Sequence, residues 1–520
     1  MEGIFEEVRA MRYHKGETVF CECVGEYTLP DYLPEIRKLL RIETKLLPVG
    51  QFVGNNKAEF SGMAVHTVLY SDDSGKLAST VLDGDYRFVA PISADGEVQA
   101  MADSRVDRVT YRLSGPRRLS IRTSIASDVR LPSEECVMSE GVQENDDTLE
   151  KLISHEVVSE TMRIHRDDLT YSDSYRFDSL RADEVRPISS SASVFVKEAK
   201  PQADGVYCMG EIWVKLLYGV GGENHEIPEV LWRKVPFDTV IETNTPFDFV
   251  TIKGICTALD AAVEDDGLGA CELTLSMQIA LEGEGVSSQE MHYVKDMYAK
   301  GQDAHIAYRQ MPLFRTLGSV TQNFTVSGSA PLENNYPGAR AVDCAVTLGS
   351  MTVERVDDKI RVSGECKGEG IMLIPATGEE TPQYERVELA FPVRMELDGK
   401  GISSDAAAYH LSAEFLGGQM RIDGENIRVD GEMAVTLSST EPKTISVAES
   451  AELLPDTAIE KPQGLVIVAY PESGETLWSM AKRYKADLAS LAHCNQIPER
   501  YLAEPDAPSS IDGMASLIIA

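Results

Sequence analysis

The chain has 520 residues and a formal net charge of −35, from 84 acidic against 49 basic side chains. That balance argues against unaided nucleic-acid binding, which needs clustered Lys and Arg, and against anionic membrane surfaces. A hydrophobic fraction of 43% is enough for packed cores, and the length sets a prior of roughly three or four domains.

The start, "MEGIFEEVRAMRYHKGE", has no basic n-region and no apolar run of signal-peptide length. No apolar stretch approaches the ~20 residues of a membrane span. A cytosolic chain is expected. Nine cysteines are scattered without a CxxC pair, which reads as reduced core thiols and neither a disulfide frame nor a zinc site.

Near the start, "GEYTLPDYLPEIRKLLRI" brackets a turn between Pro30 and Pro34. Ile36, Leu39 and Leu40 then fit helical spacing, so Glu35 to Leu40 is expected to start a helical turn.

The pattern beyond is of alternating strands, and it repeats. "FSGMAVHTVLYSDDSGKL", "CMGEIWVKLLYGVGGENHEI" and "VSGECKGEGIMLIPATGEE" align on Gly62, Gly210 and Gly364. Tyr70, Tyr218 and Met372 stand eight residues after these glycines, and a turn follows each. Pro91, Pro236 and Pro392 come 29, 26 and 28 residues after them. A late hairpin recurs as "SGPRRLSIRTSI", "DDGLGACELTLSM" and "DGENIRVDGEMAV". The glycines are expected where backbone approaches closely or bulges, and the prolines at strand edges or bulges.

The expected fold class is mainly β. Three tandem all-β domains are read at 1–140, 155–287 and 300–445, followed by a linker at 446–464 and a small C-terminal module at 465–520. The acidic stretches "MSEGVQENDDTLEKLISHEVV" and "SSQEMHYVKDMYAKGQDAH" are expected to be linkers with some helix.

The last module departs from the strand pattern. Thr476 stands where an N-cap belongs, and Leu477, Met480, Ala481 and Tyr484 make one helix face. Asp487 caps a second helix carrying Leu488, Leu491 and Ala492, and Asn495 ends it. With "LVIVAY" before and "SLIIA" after, the module reads β-α-α-β.

No catalytic residue, metal ligand or cofactor is assigned. The nine histidines form no HExxH, and neither a GxSxG elbow nor a P-loop is present.

The run Gly474, Glu475, Thr476, Leu477, Trp478, with Ala481, Tyr484, Leu491, Asn495 and Ile497, resembles the LysM domain, a small glycan-binding module. The resemblance implies a groove walled by Gly474, Glu475, Thr476 and Leu477 on one side and Asn495, Gln496 and Ile497 on the other. The whole order of parts, with "LPDYLPEI" and the Gly-to-Tyr strand, resembles the SPOCS-domain spore-coat morphogenetic proteins of spore-forming Firmicutes. That family implies a non-enzymatic scaffold in the mother-cell cytoplasm, at the forespore surface or spore coat. Its implied partners are a spore-coat basement-layer ATPase of the SpoIVA type and other coat proteins, with the tail as docking module. The alternative is a cell-wall protein using the LysM region on N-acetylglucosamine-containing peptidoglycan, which would require export.

Overall fold

The computed structural model describes residues 8–54, 56–91, 100–137, 148–221, 226–265, 267, 269–332, 336–375, 382–400, 402, 407–457, 466–508 and 510–519. Strand outweighs helix by 76% to 5%, so the chain is mainly β, built of antiparallel sheets.

One strand order occurs three times. The first unit holds β1 (Val8–Thr28), β2 (Lys38–Leu46), β3 (Gly50–Gly54), β4 (Lys57–Ser71), β5 (Leu77–Pro91), β6 (Met101–Gly115) and β7 (Arg118–Val137). The second holds β8 (Leu149–Phe177), β9 (Val185–Gln202), β10 (Gly205–Val220), β11 (Ile227–Glu242), β12 (Phe249–Asp265) and β13 (Cys271–Ala299). The third holds β14 (Asp303–Pro331), β15 (Arg340–Val356), β16 (Lys359–Ile374), β17 (Gln383–Asp398), β18 (Ala408–Asp423) and β19 (Asn426–Leu454). In each unit the first strand pairs with the last and the last with the one before it: β1-β7-β6, β8-β13-β12, β14-β19-β18. The middle strands form a second layer: β2-β4-β5 with β3 on β4, then β9-β10-β11, then β15-β16-β17. In the second unit the layers join through β9 and β12, where Val194 pairs with Gly254.

Period-two alternation builds each core. In β17, Leu389, Phe391, Val393, Met395 and Leu397 point inward while their neighbours face water. They pack against Val429, Val435 and Leu437 of β19 across the sandwich. Cys23, Cys208, Cys256, Cys271, Cys344 and Cys366 form no disulfide and are buried among such residues, while Cys494, also outside any disulfide, is exposed.

The glycine landmarks lie where neighbours crowd the strand. A Cβ at Gly62 would overlap the Tyr86 ring, one at Gly210 the Phe195 carbonyl oxygen, and one at Gly364 the Met351 sulfur. Opposite Gly210 the register shifts, as it does beside Gly364. On the edge strands β11 and β17, Pro236 and Pro392 occupy the same place, one residue from the glycine's partner and opposite Glu211 and Glu365 of the central strands. Pro91 does not share it: it pairs with Lys57 at the end of β5, and Asp85 fills the matching position.

Two expectations are corrected. Glu35 to Leu40 forms no helical turn. Ile36 N donates to the Pro116 carbonyl at 2.8 Å, Tyr70 OH to the Pro34 carbonyl at 3.1 Å and Arg117 Nη1 to the Pro30 carbonyl at 2.9 Å. These ties hold the segment extended until β2 begins at Lys38. The supposed linkers are largely strand: 149–158 belongs to β8, 287–299 to β13, 303–305 to β14 and 446–454 to β19. The outer halves of these strands pack on one another, burying Val158, Met291 and Tyr293 against Met311, Leu313, Ile445 and Val447. Acidic residues in these stretches alternate with apolar ones, so composition alone hid a strand pattern. The remaining parts, 138–147 and 458–464, lie outside the described residues.

A Gly210→Val chain should lose about 1–3 kcal/mol, because the clashing atom belongs to backbone that cannot rotate away. Gly115→Ala, with nothing within 4 Å of the new methyl, should stay within about 0.5 kcal/mol of the parent in urea unfolding.

Candidate functional site

Each central strand presents an aliphatic residue from the same position to the meeting point of the units. Leu69, Leu217 and Ile371, each seven residues after its glycine, are 1%, 1% and 0% exposed. Opposite each lies a bulge whose extra residue is Leu40, Ile188 or Val342. All six gather in one apolar cluster with Leu77 and Tyr384.

The next residue after each bulge is Arg41, Ser189 or Asp343. Arg41 Nη2 donates to Asp343 Oδ2 at 2.5 Å, and Lys215 Nζ lies 3.1 Å from Asp343 Oδ1. Lys215 also donates to the Cys344 carbonyl at 3.3 Å. One carboxylate from the third unit thus holds a guanidinium from the first and an ammonium from the second. Burial pushes the Asp343 carboxyl up, and the Lys215 and Arg41 cations more than offset it, leaving it at about 2. Burial works against the Arg41 cation, but Asp343 and Glu43 raise it overall.

The seams run head to tail. β5 lies against β9, β11 against β15, and β17 against β2. Two residues before each bulge stands a cation that clasps the neighbouring unit. Lys38 Nζ meets the Tyr384 carbonyl at 2.9 Å and Glu385 at 2.8 Å. Arg186 donates to the Leu77 carbonyl at 2.7 Å, and Arg340 pairs with Glu229 at 3.1 Å. Heterologous contacts of this kind close into a ring when the rotation per unit allows it. Three units close here.

A cavity of about 430 Å³ is lined by residues of all three units. Asp103 of β6 meets Lys253 of β12 at 2.6 Å, and His410 of β18 stands 3.6 Å from Asp103. Lys253 also pairs with Glu282 at 3.1 Å, and Arg130 with Glu284. Burial alone would raise the Asp103 carboxyl, yet His410, Lys253 and Arg130 hold it far below the carboxylate range. The volume suits a small molecule, and the charges on its walls engage one another across the units.

The tail folds as β20 (Ile467–Ala469), α1 (Leu477–Tyr484), α2 (Leu488–Cys494), α3 (Arg500–Ala503) and β21 (Leu517–Ile519). α3 adds a helix to the expected order. Thr476 caps α1, its Oγ1 accepting from Ser479 N at 3.2 Å, and Asp487 caps α2, accepting from Ser490 N at 2.8 Å. Asn495 is not left-handed at the end of α2. Its side chain instead donates to the Leu491 and Ile518 carbonyls and accepts from Ile518 N, at 2.7–2.8 Å. Of the sequence-named residues, Leu477 and Ile497 are buried, and Thr476 and Asn495 are spent on caps and strand contacts. Glu475 pairs with Arg483 at 3.2 Å. Gly474, at φ 84°, and Gln496, at φ 54°, are exposed. The first loop is tied to Arg483 and Ser510 and the second to β21, so different parts of the module anchor the two.

The tail is not free on a tether. Its helices sit on the second unit, with Trp478 edge-on to Tyr298 at 5.0 Å between centroids. Asp296 accepts from Trp478 Nε1 at 2.8 Å and from Lys482 Nζ at 2.7 Å. Tyr298 OH donates to the Ala486 carbonyl at 2.7 Å, and Lys300 pairs with Asp487 at 3.1 Å. Lys485 pairs with Asp303 of the third unit at 2.6 Å. Sequence reading missed Asp296, Tyr298 and Lys300 because they fall in a supposed linker. The apolar pair Met297 and Tyr298 in an acidic stretch was the available signal. Comparison with protein-family models, curated proteins and solved structures returns no match.

Asp343→Ala leaves buried Lys215 without a carboxylate and Arg41 with only the partly exposed Glu43 at 3.4 Å, and should cost about 3–5 kcal/mol. The triple change Arg41→Met, Lys215→Met, Asp343→Leu should recover most of that loss in thermal unfolding, because no buried charge remains.

At the tail, Asp296→Asn should loosen the docking by about 1–3 kcal/mol, read as faster hydrogen exchange across α1. Asp296 is held below its ordinary value, and Asp487 down to about 2 from 3.8. Depressed carboxylates stabilise above their unfolded value and cease to do so as pH falls through the folded one. Protection of the α1 and α2 amides, measured against their intrinsic exchange rate at each pH, should therefore fall as pH drops from 3.8 towards about 2.

Proposed function

We propose that the chain is a non-enzymatic assembly scaffold of the SPOCS-domain spore-coat kind. It works in the mother-cell cytoplasm at the forespore surface and recruits or encases coat proteins. Its LysM-like tail is the contact for a basement-layer ATPase.

One observation carries the reading: three carboxylates held below their ordinary range, Asp343, Asp103 and Asp296, lie where one part of the chain meets another. Shifted groups in a cleft commonly mark reacting residues. Here Asp343 is engaged by Arg41 and Lys215, Asp103 by Lys253, and Asp296 by Trp478 and Lys482. Their chemistry is fastening. A body fastened this way holds its three repeated units at fixed angles, which suits a platform that spaces other proteins. The repeated glycine landmarks and strand order support the SPOCS assignment, and the capped helix pair between two short strands supports the LysM assignment. The outer side of the tail keeps Tyr470, Val468 and Ile518 exposed beside the Asn495 to Ile497 loop, available to a partner.

The test is capture by the immobilised full chain of two probes, purified basement-layer ATPase and purified peptidoglycan. A second chain lacks residues 466–520 and carries Leu152→Ser and Tyr298→Ser to keep the uncovered surface soluble. The ATPase should bind the full chain and not the shortened one, and peptidoglycan should bind neither. Capture unchanged by the deletion removes the tail from docking. Binding of peptidoglycan alone replaces the scaffold reading with the cell-wall one.

A further inference from the structure

We infer that His155 and His292 form a two-histidine chelate for a divalent transition metal, best suited to Zn²⁺. The two residues are direct antiparallel partners on β8 and β13. Direct partners project from the same face with Cβ atoms about 4.5–5.5 Å apart. Both are exposed, and their ring centroids lie 6.2 Å apart at 52°.

The separation suits chelation. Zn–N bonds of about 2.0–2.1 Å at tetrahedral angles place two ligating imidazole centroids about 5 Å apart. Closing from 6.2 Å therefore takes a side-chain rotation that brings the rings together by roughly 1 Å, with no change of backbone. A right-angled bite, as in square-planar Cu²⁺ sites, draws the centroids to about 4.5 Å and needs a larger movement. Geometry therefore favours Zn²⁺, while intrinsic affinity favours Cu²⁺.

The backbone beneath the pair is rigid. β8 and β13 stay in register from Gln289 with Val158 to Val294 with Ile153, without a bulge. Behind it, Val158, Met291 and Tyr293 are packed into an apolar cluster. The ligands thus stand on a supported strand pair, which lowers the entropy lost on binding. On the same face, Glu290 pairs with Val157 and lies diagonal to His155. Among the described residues no group of three or more His, Cys, Asp or Glu is placed to hold a metal. The site is accordingly an open one: two protein nitrogens, with the remaining positions left to water.

The experiment is calorimetric titration of the untagged full chain with ZnCl₂, repeated with CuCl₂. One ion should bind per chain ahead of weak background binding to surface carboxylates. His155→Asn and His292→Asn should each weaken that step by about tenfold or more, and the double variant should not weaken it further than background. His305→Asn, at another exposed histidine, should leave it unchanged. Copper-loaded chain should show two coordinated nitrogens in its electron paramagnetic resonance spectrum. The inference is overturned if no stoichiometric step appears. It is equally overturned if the step survives the double variant while circular dichroism shows the fold intact.

Discussion

Asp343 sits where three β units meet, and its carboxylate is shared between Arg41 of the first and Lys215 of the second. A buried carboxylate is tolerated only with cations to hold it, and buried cations only with the carboxylate. Each unit therefore requires the other two. Around this point the six residues of the repeated bulges and central strands form an apolar collar that keeps water from the pairs. The collar strengthens the electrostatics, and the electrostatics select the partner face, since like charges at that place would be expelled.

The ring is a quasi-equivalent object built from unequal residues. Positions that correspond by strand and register carry Arg41, Ser189 and Asp343 at one level, and Lys38, Arg186 and Arg340 at another. In the first set Arg41 and Asp343 carry opposite charges and attract across the junction, while Ser189 is neutral and the second unit's cation comes from Lys215. The second set is cationic throughout, and each member reaches to its neighbour's carbonyl or carboxylate.

The tail joins this body through a buried aromatic pair, Trp478 on Tyr298, and through the ion pairs of Lys482 with Asp296, Lys300 with Asp487 and Lys485 with Asp303. Asp296 and Asp487 are held below their ordinary values by these contacts, so acid that protonates them weakens the attachment.

Much was legible in the chain itself. Alternation set the strands, since one face of each had to be buried; Gly62, Gly210 and Gly364 marked the crowded places; Thr476 and Asp487 marked the helix starts. These features depend on residues within a few positions of one another, or on a pattern repeated whole. What the tertiary structure alone decided was which strands continue through the acidic stretches, where Pro91 drops out of the repeat, and how the units close. Met297 and Tyr298 are strand residues because the arms of two units pack together and the tail covers one of them. Arg41, Lys215 and Asp343 lie far apart in sequence, and no local spacing distinguishes them from other charged residues on a strand. Their role comes from ring closure, a long-range event whose burial turns three ordinary charges into one junction.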